Sequence, residues 1–101
     1  MTYKQKFQLL MEECISKGIS VIMLYGDELK DYAGMNSEIG KIMGFTINGC
    51  ELAKDSIVVY GGFRYQRRYE TLNHEYIEIE LMKSGVPYWE AHCIALIKEK
   101  Y

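Results

Sequence analysis

The run from Tyr65 to Lys83 constrains the fold more than any other part of the chain. Its period is helical, and its apolar residues fall on two sides. At about 100° per residue, Tyr69, Leu72, Tyr76 and Ile79 share one side, and Ile77 and Leu81 lie nearly opposite. His74 and Glu78 share that second side. A helix with two apolar stripes has to be covered on both. One stripe belongs on a sheet, and the other meets the first helix, the last helix or both. His74 and Glu78 are therefore expected in a helix–helix seam and not in open water.

The rest of the chain supplies those covers. Thr2 followed by Gln5 is a capping-box pattern. Phe7, Leu10, Met11, Cys14 and Ile15 then recur at helical spacing, which predicts a helix from about Tyr3 to Lys17, stopped at Gly18. The glycine-bounded apolar run Ile19 to Tyr25 fits a buried strand. A short helical turn is expected between Gly26 and Gly34, and "MNSEIG" reads as loop. "KIMGFTING" (Lys41 to Gly49) reads as a second strand that ends in the hairpin signal Asn48-Gly49. "CELAKD" fits either a wide turn or the start of the next strand. Ser56 to Gly62 is a third strand. Ser84-Gly85 ends the long helix, and Pro87 suits the first position of a last helix carrying Trp89, Cys93, Leu96 and Ile97. A three-stranded, mainly antiparallel sheet with helices grouped at the chain ends predicts an α+β fold.

With 101 residues the chain has room for one domain, 1–101, and one modest core. Apolar residues make up 49% and charged ones 26%, which excludes a disordered chain. The formal net charge of −2 gives no field that favours nucleic acid. The one basic cluster, Arg64, Arg67 and Arg68, reads as a solvated loop and helix start. No apolar run approaches a membrane span, and no leader pattern is visible. Cys14, Cys50 and Cys93 lack the CxxC spacing of a thiolate zinc site, so buried free thiols in a reducing cytoplasm are expected.

The chemistry gathers in "NHEYIE". Residues at i and i+4 stand one above the other on a helix, so His74 and Glu78 are placed to grip one ion. The short "SGVP" connection makes the last two helices neighbours. Reversal of the chain there would bring His92 opposite the same face. Two imidazoles and a carboxylate form a common catalytic zinc set with one position left open. Glu75, beside the first ligand, is the expected general base that takes a proton from the attacking water. Glu70 and Glu90 read as helix-end charges, and Tyr88 and Trp89 as core or rim packing.

In layout, Gly18 to Met82 resembles the compact zincin-like metallopeptidases of the ImmA/IrrE type. The specific likeness is confined to "TLNHEYIE". The resemblance implies a minimal zincin-like core, with His74 as a zinc ligand and Glu75 as general base. Glu78 stands where that family has its second histidine, and the family's further ligand has no sure counterpart. His92 comes from helix geometry alone.

Three readings follow. The first is a minimal zinc-dependent hydrolase acting on a protein or peptide. The second is a catalytically inactive zincin-like binding module, of the kind a phage or mobile element uses against a host protein. The third is a structural domain in which the histidines and glutamates form a buried polar network, with the tyrosines serving an interface.

Overall fold

The computed structural model describes residues 1–100, with side chains through 98. The first helix, α1 (Tyr3–Ser16), opens on the expected capping box. The Gln5 N–H donates to Thr2 Oγ1 at 3.2 Å, and the Thr2 N–H donates to Gln5 Oε1 at 2.8 Å. Strand β1 (Ser20–Leu24) follows, then a 3-10 turn at Asp27–Leu29. The remaining elements are β2 (Gly34–Asn36), α2 (Ser37–Met43), β3 (Thr46–Ile47), β4 (Cys50–Glu51), β5 (Ser56–Tyr60), α3 (Tyr65–Lys83) and α4 (Tyr88–Lys100).

The main sheet has the order β1-β5-β2. Strand β5 pairs parallel with β1, from Ser20 opposite Ser56 to Leu24 opposite Tyr60. On its other edge it pairs antiparallel with β2, Gly34 opposite Val59 and Asn36 opposite Ile57. The antiparallel β3–β4 hairpin stands apart and turns at Asn48 and Gly49, whose φ values are 52° and 81°. Two of the three ladders are thus antiparallel, and the longest is parallel. The α+β class, the N-terminal helix and the two C-terminal helices are as the sequence predicts.

The second strand lies elsewhere than expected. Residues 41–49 do not form it: α2 takes Ser37–Met43, and only Thr46–Ile47 remains extended. "MNSEIG" is accordingly the end of β2 and the start of α2, not a loop. The cause is capping. Asn36 Oδ1 accepts the N–H groups of Glu38 and Ile39, both at 3.0 Å, and satisfies two orphan donors of the helix. Gly44 closes the helix with φ 69°, while the Phe45 N–H reaches Gly40 O at 2.8 Å.

Strand β5 is buried on both faces, so it reads as an unbroken apolar run. Ile57 and Val59 join Phe7, Leu10, Leu72 and Ile79 in one core cluster. Val58 points the other way, toward Leu29, Met35 and Ile39. The predicted stripe of α3 therefore meets the sheet and α1 together, since Tyr69 and Tyr76 also pack on the first cluster. Its opposite flank, with His74, Glu75 and Glu78, packs toward β2, α2 and α4. Strand β2 approaches α3 closely at Gly34. A Cβ there would lie 2.7 Å from Thr71 Cγ2 and 2.9 Å from Val58 O, so only glycine fits.

Two smaller expectations fail. Only Cys14 is buried, whereas Cys50 and Cys93 are exposed, because they lie on β4 and on the outer face of α4, both turned to solvent. Trp89 is 69% exposed for the same reason, and Ile97 on the same helix is 61% exposed. Among the described residues, no helix is long and apolar enough to cross a membrane.

Candidate metal centre

The site is assembled by two helices and one strand end. Helix α3 stacks His74 and Glu78 one turn apart, in the α3–α4 seam. The turn at Ser84 and Gly85 reverses the chain, and α4 brings His92 to the same point. His74 Nε2 lies 2.5 Å from Glu78 Oε2, and His92 Nδ1 lies 2.9 Å from that same oxygen. The two ring nitrogens are 3.2 Å apart. One carboxylate oxygen and two imidazole nitrogens thus face a common centre. The rings meet edge to face, 4.9 Å between centroids.

This donor set fits a zinc ion chemically. Ligand atoms around a tetrahedral zinc are about 3.3 Å apart, given metal–ligand distances of about 2.0 Å. The observed edges of 2.5, 2.9 and 3.2 Å are slightly tighter, a closed form of that triangle. Two imidazole nitrogens at this separation repel through their lone pairs unless a cation or a proton lies between them. Among the described residues this is the one group of three or more His, Cys, Asp or Glu side chains whose ligand atoms converge in this way. His74 and Glu78 are 9% and 2% exposed, while the His92 side chain keeps 39% of its surface open. Its open side is a cleft of about 410 Å³. A three-ligand site facing a cleft keeps a position free for water or substrate.

Glu75 also lines that cleft, yet it is 8% exposed. Burial, and then the charge of Glu78, push its carboxyl up from an ordinary 4.5 to about 7. A carboxylate poised there can accept a proton at neutral pH and return it. Glu78 behaves oppositely. Burial alone would raise it, but hydrogen bonds from His74 and His92 outweigh burial and hold it below the usual carboxylate range. The two neighbouring acids are thereby pushed in opposite directions.

All four predicted site residues, His74, Glu75, Glu78 and His92, meet at the cleft. Sequence reasoning missed a fifth. Asn36, fully buried, donates from Nδ2 to Glu75 Oε1 at 3.1 Å and more weakly to Glu78 Oε1 at 3.5 Å. The signal for it was "NSEI", an N-cap pattern that places an Asn side chain at a helix start. Arg67, exposed in the first turn of α3, and Glu70 also line the cleft. The Arg67 guanidinium sits 4.6 Å over the Phe63 ring. Arg68 instead closes the turn before α3, donating to Phe63 O at 2.8 Å and Gly61 O at 2.6 Å. Tyr88 packs its ring 5.5 Å from that of His92.

No family model matches the sequence, and no curated protein or solved structure matches the chain.

Proposed function

We propose that this protein is a small zinc-dependent hydrolase that cleaves peptide bonds, zincin-like in its core. One observation carries the reading: His74 Nε2, His92 Nδ1 and Glu78 Oε2 converge beside a cleft that Glu75 also lines. Zinc held by these three residues would supply Lewis acidity to a substrate carbonyl and to the attacking water. The chain's own residues do the rest. Glu75 accepts the proton of the attacking water and passes it to the leaving amine. Met35 and Ile39 exclude solvent from one wall of the cleft, and Tyr88 steadies the His92 ring. Strand β2 is one of the two outer strands of the main sheet, and its Gly34 and Met35, with Ala33 just before them, line the cleft. An extended peptide can add to that edge and lie across the metal ligands. Exposed Cys50 and Cys93 suit a reducing cytoplasm, where they stay unpaired.

A second reading has its own support. Trp89 and Ile97 form an exposed apolar face on α4, as a binding module would use. One experiment separates the two. The purified protein is assayed for bound metal and for cleavage of a mixed peptide library, alongside His74→Ala and Glu75→Gln. The hydrolase binds one zinc, loses it in His74→Ala, and keeps zinc but loses cleavage in Glu75→Gln. Zinc bound without cleavage in any form selects the binding module. No zinc in the parent protein sinks the hydrolase and leaves a module that binds by contact alone or a buried polar network.

A further inference from the structure

Asn36 has two hydrogen-bonding ends, and the fold fixes which faces where. Its Oδ1 accepts the Glu38 and Ile39 N–H groups, each at 3.0 Å. Its Nδ2 must then face Glu75 Oε1 at 3.1 Å and Glu78 Oε1 at 3.5 Å. The flipped amide would set oxygen against two carboxylates and NH2 against two N–H donors. The residue is fully buried, so no water can take over either end. The amide therefore engages the Oε1 atoms of both acids. Glu78 is left with Oε2 turned toward His74 and His92. Glu75 is tied back toward β2.

We infer that Asn36 is a positioning residue that keeps Glu78 a one-oxygen ligand and Glu75 out of the coordination sphere, and so sets the site's preference for zinc. The inference rests on the metal centre proposed above and adds what selects the metal. Without the amide, Glu78 is free to turn both oxygens to the ion, and Glu75 is free to swing in. The ligand set would then be richer in oxygen and higher in coordination number. Four-coordinate sites with imidazole suit zinc, whereas oxygen-rich, six-coordinate sites suit manganese.

The test compares zinc and manganese affinities, by competition with a chelating dye, for the parent protein, Asn36→Asp and Asn36→Ser. Both variants keep an oxygen able to cap α2 and remove the NH2 group. Ser37→Ala is the control, because the Ser37 hydroxyl is spent on the β5 side of α2, accepting the Ser56 N–H at 3.2 Å. The expected result is a zinc affinity lowered about 10–100-fold, the range for losing an outer-shell partner of a metal ligand. Manganese affinity holds or rises, because the freed carboxylate oxygens suit that ion, so the zinc-to-manganese ratio falls at least about tenfold. The visible spectrum of the cobalt-loaded variants should weaken, as a four-coordinate ion gains ligands. Ser37→Ala should lower stability and leave the ratio alone. A parent protein that binds zinc, with the ratio unchanged in both Asn36 variants, overturns this inference and spares the metal centre. A parent protein that binds no metal removes both. Loss of the folded state in both variants, seen by circular dichroism, assigns Asn36 to the scaffold alone and also overturns it.

Discussion

Replacing Glu75 by glutamine tests how the site is held when no metal is added. Burial and the Glu78 charge raise the Glu75 carboxyl from 4.5 to about 7. At about 1.4 kcal/mol per tenfold change in proton affinity, ionising it in the folded chain costs about 3 kcal/mol more than in the unfolded chain. Between pH 4.5 and about 7 the folded state then binds the extra proton. Stability from this group is full at the acid end and falls as pH rises through that window. The substituted glutamine carries no charge and still offers an oxygen to the Asn36 NH2. The variant should therefore match the parent protein near pH 4.5 and exceed it by about 3 kcal/mol at pH 8. Glu78 titrates in the opposite direction, its stabilisation being lost as pH falls; because its charge is one of the causes that raise Glu75, the difference between the two proteins contains their mutual repulsion as well as the burial of Glu75. Urea unfolding in a chelating buffer at several pH values between 4.5 and 8 measures the difference directly. A difference that stays flat across this range would refute the claim that Glu75 ionises in a buried place.

Three further outcomes follow from the same geometry. Zinc at 100 times its dissociation constant should stabilise the chain by about 2.7 kcal/mol and raise its melting temperature by about 10–20 °C; scanning calorimetry with and without a chelator reads this, and it should vanish in His92→Ala. Leu72→Ala empties the centre of the first core cluster, where Leu72 is fully buried, and should cost about 2–5 kcal/mol in urea unfolding while zinc affinity stays within about threefold. Gly34→Ala pushes β2 off α3 because its Cβ meets Thr71 and the Val58 carbonyl, so it should lose about 1–3 kcal/mol and weaken zinc binding as well.

Much of this was legible in the chain because two periodicities are clean. The i, i+4 pair His74 and Glu78, the two-sided run of α3 and the tight reversal at Ser84-Gly85 together place three side chains without any long-range information. The β5 run shows its double burial through uninterrupted apolar residues. What escaped reading depends on competition between local signals. Residues 41–49 carry β-branched and aromatic side chains, and the Asn48-Gly49 turn is where it was expected. Asn36 nonetheless starts a helix upstream, and the turn keeps only a two-residue ladder, Thr46 and Ile47 against Cys50 and Glu51. The main sheet then recruits Gly34–Asn36 as its third strand. That choice is tertiary, since β2 is short and is defined by its contacts with β5 and α3. Asn36 eluded the reading for the same reason. Its role appears only once the strand end is laid against Glu75 and Glu78.

The division of the triad between α3 and α4 has a kinetic consequence. His74 and Glu78 ride on the helix that is wedged between α1 and the sheet, so they stand ready whenever the chain is folded. His92 rides on α4, whose outward residues Trp89, Cys93 and Ile97 touch solvent. An incoming ion would first meet a fixed two-point grip, and the third arm would fasten afterward. Release would run in reverse, so the lifetime of the bound ion would be governed by how firmly α4 stays seated.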